Sequence, residues 1–209
     1  MVASPKPKAT YADVLATPER LVAEVLFGVL YTHPRPARAH TRAASRLGAE
    51  IDGPFDRGRG GPGGWIILDE PELHFGRSPD EDIVVPDLAG WRRVRMPDVG
   101  EGAYFTLAPD WVCEVLSPTT AAVDRTEKMR IYAREGVQHA WLLDPIAKTL
   151  EDYRLPRRSS PRTKKAKGKR RPAMSRAREW VLVDVWRGDA KVRAEPFDAV
   201  PLELASLWS

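Results

Sequence analysis

Two acidic residues lie inside short apolar segments, where charged side chains are uncommon. Asp87 occurs in VVPDLAG and Glu114 in PDWVCEVLSPTT, each alternating with apolar residues that share its face of a predicted strand. A buried carboxylate of this kind is expected to pair with a base, to have a raised pKa or to bind a cation. Two such carboxylates that converge from adjacent strands would suit a hard cation such as Mg²⁺. The alternative is a structural ion pair with Arg92, Arg93 or Arg95.

A lysine after Glu114 could complete a site for phosphoryl chemistry. Asp124, Lys128 and Tyr132 are spaced i, i+4, i+8, which places them on one face of a predicted helix. A surface ion pair between Asp124 and Lys128 explains the same spacing. Phosphodiester hydrolysis needs a metal that neutralises the phosphate and lowers the pKa of a bound water, and a cation that stabilises developing charge. Two acids and one lysine are a minimal set for this chemistry.

The order of several short motifs resembles a known family. The chain carries VVPDLAGWRR, then EVLSP, then Lys128 and Tyr132, and then REGVQHAWLLDP. This combination is similar to the Uma-type family of bacterial restriction-endonuclease-like proteins, first described as a domain of unknown function and a branch of the PD-(D/E)xK nuclease superfamily. The likeness extends from AEVLFG near the start of the chain to AEPFDAV near its end.

The resemblance implies a metal-dependent endonuclease that hydrolyses phosphodiester bonds in DNA. It implies that Asp87 and Glu114 are catalytic residues that bind Mg²⁺, with Mn²⁺ as a substitute, and that Glu24 in AEVLFG is a third acid near the metal. The superfamily lysine lies two residues after the second acid, but Leu116 occupies that position here, so the role passes to Lys128. The alternative is a catalytically inactive nucleic-acid-binding or regulatory protein on the same fold. Many nucleases of this superfamily act as dimers, so the resemblance also implies a homodimer.

Other polar residues are interpreted as structural. Glu72 is either a further acid near the metal or part of a salt bridge. His40, at the start of a predicted helix, either approaches the cleft or is a capped or surface histidine, and the second interpretation is preferred. Three positions that match the family are interpreted as packing and helix-to-sheet support: Tyr132, Trp141 and Asp144.

The candidate residues need a sheet that holds the acids and a helix that holds the lysine. The apolar, β-branched segment 21–31 predicts a hairpin around Gly28, and the Ala- and Leu-rich segment 36–51 predicts a helix. A second helix is predicted at 124–135, ending before Gly136. Strands are predicted at 65–68, 72–75, 83–88, 111–116, 140–143, 149–155 and 180–186. Together with the resemblance, this order predicts an α/β fold with a restriction-endonuclease-like central mixed β-sheet flanked by helices.

The composition indicates one domain over residues 1–209. Apolar residues make up 43% of the chain, which is sufficient for one core. Of the 33 basic residues, 12 lie in 154–178, which has no acidic residue, so the remainder has 21 basic against 29 acidic residues. We expect residues 1–10 to be a disordered lead and 154–178 to be a basic, flexible insertion that either contacts nucleic-acid phosphates or is merely solvated.

The single cysteine, Cys113, excludes an internal disulfide framework and a multi-cysteine zinc site. It indicates a reducing compartment, with the cytoplasm as the default. Because Cys113 precedes Glu114 in a predicted strand, we expect it to face the core on the opposite side of the sheet. No run of about 18 apolar residues is present, so neither export nor a membrane span is indicated.

Overall fold

The computed structural model describes residues 8–76, 81–157 and 178–209. In chain order the strands are β1 (Leu21–Leu26), β2 (Val29–Pro34), β3 (Trp65–Asp69), β4 (Leu73–Phe75), β5 (Asp82–Val84), β6 (Leu88–Arg92), β7 (Trp111–Val115), β8 (His139–Asp144), β9 (Thr149–Arg154), β10 (Val181–Arg187), β11 (Lys191–Val192) and β12 (Leu202–Glu203). The α-helices are α1 (Tyr11–Leu15), α2 (Arg38–Ile51), α3 (Ala121–Val123), α4 (Met129–Glu135) and α5 (Ala205–Trp208).

The central sheet has six strands in the order β10-β9-β8-β7-β6-β3. Strands β7 and β8 are parallel, and the remaining neighbours are antiparallel. The parallel pair requires a crossover, which the helical segment between β7 and β8 provides. The predicted α/β fold with a central mixed sheet flanked by helices is therefore confirmed.

Helices pack on both faces of this sheet because its strands are apolar on both sides. On one face, Ala43 and Leu47 of α2 pack with Cys113 of β7, which is fully buried as predicted. On the other face, Ile131 of α4 packs with Val112 of β7. The alternation along β7 therefore points Cys113 towards α2 and Glu114 towards the opposite face.

A second, four-stranded antiparallel sheet lies beside the first, in the order β2-β1-β5-β4. The predicted hairpin at 21–31 is confirmed, with Phe27 and Gly28 forming its turn at positive φ. The prediction of one strand over 83–88 is wrong. The chain pairs as β5 in the smaller sheet, leaves it after Val84 and joins the central sheet as β6, because Pro86 has no N–H to continue a ladder. Asp87 therefore directly precedes β6.

The predicted helix at 124–135 begins earlier and contains a wider turn. It starts with α3, continues through a π-helical turn at Asp124–Lys128 and ends with α4. Gly136 ends it with φ of 89°, as predicted from sequence. Asp124 and Lys128 are both buried, because the π-helical turn faces the sheet rather than solvent.

The remaining differences are at the chain ends. The C-terminal segment adds the short strand β11, which pairs with β12, and the helix α5. Most of the expected N-terminal lead and basic insertion fall outside the described residues. Among the residues that are described, none of the helices is both long and apolar enough to cross a membrane.

A buried aspartate in β9 anchors the C-terminal segment to the sheet. Asp152 is fully buried, and its Oδ2 accepts a hydrogen bond of 2.9 Å from the backbone N–H of Glu195. Its Oδ1 has no hydrogen-bond partner among the described residues. Burial, reinforced by the Glu195 charge, raises the pKa of Asp152 to about 7, although the Glu195 N–H and the Arg154 charge oppose this shift. The folded state therefore favours the protonated acid.

Asp152→Asn should make the free energy of unfolding less dependent on pH. Because the pKa of Asp152 is higher in the folded protein than its value near 3.8 in the unfolded chain, Asp152 contributes stability to the parent. This contribution is fully present below pH 3.8 and is lost as the pH rises through about 7. The variant should gain stability over the parent between pH 5 and 9, by on the order of 3 kcal/mol, measured by chemical denaturation. Asp184→Asn, at the exposed residue paired with Asp152 across β10, is the control. Equal pH slopes in both variants would contradict the assignment.

Candidate functional site

A cleft of about 490 Å³ opens between the two sheets. Its walls come from the β1–β2 hairpin, the start of α2, the segment that precedes β6 and the helical segment that follows β7. Asp87, Glu114 and Lys128, the three residues that carry the predicted chemistry, all line it. Glu72 also lines it and lies 2.7 Å from His74 Nε2, so the salt-bridge alternative applies to this residue.

Glu114 and Lys128 form the centre of a buried hydrogen-bond network. The Lys128 ammonium donates to Glu114 Oε2 at 2.8 Å, and the Tyr132 hydroxyl donates to Glu114 Oε1. The same ammonium donates to the backbone carbonyl of Val85 at 3.1 Å and lies 3.7 Å from Asp124 Oδ1. The shared helix face predicted for Asp124, Lys128 and Tyr132 therefore lies against β7 rather than in solvent.

Glu24 reaches the network from the smaller sheet. Its Oε1 lies 3.2 Å from the Lys128 ammonium and accepts a hydrogen bond of 2.7 Å from the backbone N–H of Val85. Its other oxygen lies 3.8 Å from His33 Nε2. Because Glu24 is only 2% exposed, it contacts the lysine from behind the cleft. The structure thus brings Glu24 and Glu114 to the same lysine ammonium.

Asp87 lies at the cleft surface beside the end of β7. Its Oδ2 accepts a hydrogen bond of 2.7 Å from the backbone N–H of Val115, which fixes the carboxylate next to Glu114. Its Oδ1 lies 3.1 Å from His40 Nε2. None of the arginines considered as structural partners contacts Asp87 among the described residues: Arg93 pairs with Asp56, Arg95 pairs with Asp110, and Arg92 lies over the Trp65 ring.

The network contains one lysine among four carboxylates, those of Glu24, Asp87, Glu114 and Asp124. Burial raises the pKa of Glu114 well above its usual value, and the charges of Asp124, Asp87 and Glu24 raise it further against the opposing effect of Lys128. Burial would lower the pKa of Lys128, but the surrounding carboxylates, led by Glu114, hold it well above its usual value. The cluster therefore has more carboxylates than cationic side chains, and Glu114 holds its proton to a higher pH than a free glutamate.

The pKa of Glu24 is shifted in the opposite direction from that of Glu114, although both residues contact the same lysine. Burial acts to raise the pKa of Glu24, but the Lys128 charge and hydrogen bonds from His33, Val85 and Lys128 outweigh it and lower the pKa. Glu24 is therefore the ionised partner that compensates Lys128. At Glu114, burial and the neighbouring carboxylates outweigh the same lysine, so its pKa remains raised.

Asp87 and Glu114 fit a site for a divalent cation. Within the described residues, no group of three His, Cys, Asp or Glu side chains is arranged to hold a metal ion. Mg²⁺ is usually bound through one or two carboxylates, with water filling the remaining positions, so a third protein ligand is not required. A bound cation would favour the ionised form of Glu114, which burial and the neighbouring carboxylates disfavour.

The interpretation of His40 as a capping or surface residue is wrong. His40 is 8% exposed and lies on the buried face of α2 with Ala43 and Leu47, at spacings of three and seven residues. That periodicity in the sequence already indicates burial. Its contact with Asp87 could not be predicted, because α2 and the segment before β6 are distant in sequence. Tyr132 was expected only to pack, but it also binds Glu114 through its hydroxyl.

The other residues expected to be structural have structural contacts. Trp141 is buried in the core and donates from its indole nitrogen to the Glu195 carbonyl at 2.7 Å. Asp144 accepts hydrogen bonds from the backbone N–H groups of Ile146 and Ala147, in the turn after β8.

A mixed sheet flanked by helices, with two carboxylates and a lysine where β6 and β7 meet, defines a restriction-endonuclease-like protein. The sequence profile of the Uma2 family, described as "Putative restriction endonuclease", matches residues 10–186. The chain belongs to this family. Family and fold together indicate a restriction-endonuclease-like nuclease.

A solved structure supports the fold. The chain is similar to a protein from Anabaena variabilis ATCC 29413 described as a putative nuclease belonging to DUF820, with a TM-score of 0.67 and 24% sequence identity. The similarity covers 96% of this chain and 97% of that one. No curated protein matches this sequence.

Proposed function

We propose that the protein is a metal-dependent endonuclease that cleaves phosphodiester bonds in DNA. The observation that carries this proposal is the convergence of Asp87 and Glu114 on one cleft, with Lys128 hydrogen-bonded to Glu114 behind them. Membership of the restriction-endonuclease-like family supports DNA as the substrate. The cleft volume of about 490 Å³ suits a nucleotide-sized portion of a larger molecule.

Asp87 and Glu114 are the residues proposed to hold Mg²⁺, or Mn²⁺ in its place. Such an ion neutralises the scissile phosphate and lowers the pKa of a bound water. The protein contributes fixed ligands, since the Val115 N–H holds Asp87 while Lys128 and Tyr132 hold Glu114. Ligands fixed in this way need little reorganisation during the reaction.

Lys128 is proposed as the catalytic cation, with Glu24 as its supporting acid. Its ammonium already lies 2.8 Å from one proposed metal ligand, so its charge acts on the same region of the cleft. Glu24 and the Val85 carbonyl fix the ammonium from the opposite side. This arrangement allows the charge of Lys128 to stabilise negative charge that develops next to Glu114.

Cleavage assays with two DNA forms would test the function. Mg²⁺ and Mn²⁺ should each be titrated against supercoiled and single-stranded DNA, with EDTA as the metal-free control. Metal-dependent cleavage by the parent, absent in Asp87→Asn, is the expected result. DNA binding without cleavage at any metal concentration would instead favour the catalytically inactive binding protein.

His40 is proposed to position Asp87, and His40→Ala should weaken both Mg²⁺ affinity and cleavage. Residues that orient a metal ligand typically contribute 10- to 100-fold to affinity or activity, and a loss of about that size is expected. Isothermal titration with Mg²⁺ and the cleavage rate measure the two effects. Thr41→Ala, at the exposed neighbouring residue of α2, is the matched control. Unchanged Mg²⁺ affinity in His40→Ala would contradict a positioning role.

A further inference from the structure

A second pocket, of about 510 Å³, lies at the other ends of the central strands from the cleft. It is formed where β6 and β9 end and where β7 and β8 begin. The chain runs from Asp87 at the cleft through β6 to Arg92 at this pocket, a span of about 16 Å for five extended residues. The two sites are therefore separate. We call it the arginine pocket, after the four arginines that line it: Arg92, Arg95, Arg154 and Arg157.

Two of these arginines are already neutralised. Arg95 pairs with Asp110 at 2.9 Å, and Arg154 pairs with Glu195 at 3.0 Å. These ion pairs fix the pocket walls, because Asp110 also accepts a hydrogen bond of 2.9 Å from the Arg92 backbone N–H.

The other two arginines have no carboxylate partner among the described residues. The guanidinium of Arg92 lies 4.4 Å from the centre of the Trp65 ring, which orients it without neutralising its charge. No ion pair within the described part of the chain involves Arg157. The arginine pocket therefore has a net positive charge, in contrast to the acidic cleft.

Neutral hydrogen-bonding groups complete the pocket. Gln138 and His139 also line it, at the start of β8. Burial lowers the pKa of His139, and the charges of Arg92 and Arg154 lower it further against the opposing Glu195 charge. The imidazole is therefore neutral at pH 7, and hydrogen-bonds without adding charge.

We infer that the arginine pocket binds a phosphate group. Guanidinium groups present paired N–H donors that match phosphate oxygens, and they stay charged at every physiological pH. Unlike the cleft, the pocket needs no metal to attract an anion. A nucleic-acid backbone and a free nucleotide offer the same phosphate chemistry. The inference goes beyond the proposed cleavage reaction and does not depend on it.

Calorimetric titration in EDTA at low ionic strength would test the inference on the full chain. The probes are inorganic phosphate, adenosine monophosphate and a twelve-nucleotide single-stranded DNA. Arg92→Gln and Arg157→Gln should each weaken binding of the preferred probe about tenfold. Arg157 makes no ion pair or side-chain hydrogen bond with the described residues and does not stack on Trp65, so the result for Arg157→Gln is independent of any loss of packing at Trp65. Arg187→Gln, at the far end of β10, removes the same charge outside the pocket and serves as the control.

The outcomes distinguish the sources of phosphate. Binding of inorganic phosphate or the mononucleotide that depends on Arg92 and Arg157 assigns a free-phosphate site. Binding of the oligonucleotide alone, with the same dependence, assigns a nucleic-acid backbone contact. No binding of any probe, or an equal loss in Arg187→Gln, would overturn the inference.

Discussion

Asp87→Asn is expected to lower the rate of DNA cleavage by about 10³-fold while leaving the fold intact. A metal at a transferring phosphate contributes several kcal/mol of transition-state stabilisation, and the amide of asparagine is a poor replacement for an anionic ligand. The amide oxygen can still accept the hydrogen bond from the Val115 N–H. Because Asp87 is one of the charges that raise the pKa of Glu114, its neutralisation should leave the free energy of unfolding unchanged or larger.

Thermal unfolding with and without Mg²⁺ would separate a metal ligand from a structural residue. Mg²⁺ should raise the Tm of the parent and not that of Asp87→Asn, because an ion that binds only the folded state stabilises it. Asp56→Asn is a matched control, since Asp56 also accepts a backbone N–H and pairs with a basic side chain but lies outside the cleft. A large loss of stability in Asp87→Asn, without any change in Mg²⁺ response, would show that Asp87 is structural.

Lys128→Met is expected to cost about 3–5 kcal/mol of folding free energy and to abolish cleavage. The substitution removes the ammonium that contacts Glu24, Glu114 and Asp124, and leaves these buried carboxylates uncompensated. Methionine fills a similar volume, so a cavity contributes little to the loss. Chemical denaturation measures the change in the free energy of unfolding.

A double variant and a surface control define the origin of that loss. Adding Glu114→Gln to Lys128→Met removes one uncompensated charge and should restore part of the stability but none of the cleavage. Lys191→Met breaks an exposed ion pair with Glu203 and should change stability by no more than about 1 kcal/mol. If Lys128→Met destabilises no more than Lys191→Met, the buried network does not depend on the lysine.

The sequence predicted the fold and most of the candidate cleft because its signals are local. Glu114 alternates with apolar neighbours along β7, and the spacing of Asp124, Lys128 and Tyr132 survives the π-helical turn. Gly136 marks the end of the helix through its own backbone conformation. Such features depend on residues that are close together in sequence, so they can be recognised without knowing which other elements pack against them.

The features that sequence did not predict are tertiary. The segment 83–88 was predicted as one strand although Pro86 lies inside it, and the pairing shows that it divides between two sheets at that proline. His40 contacts Asp87 across 47 positions of sequence, so its spacing within α2 indicates burial but not its partner. The arginine pocket likewise collects residues from the ends of three strands and from the loops beside them.

The segment 85–87 connects the two sheets and contacts the network at several atoms. Val85 donates its N–H to Glu24 and accepts from Lys128 with its carbonyl, while Asp87 accepts the Val115 N–H two residues later. Each of these groups is in reach only if the connection has its present length. Inserting or deleting one residue would shift the backbone by about 3.3 Å, so the Val85 contacts and the Asp87 contact could no longer form at the same time. Homologous chains should therefore vary in residue type along this connection more readily than in its number of residues.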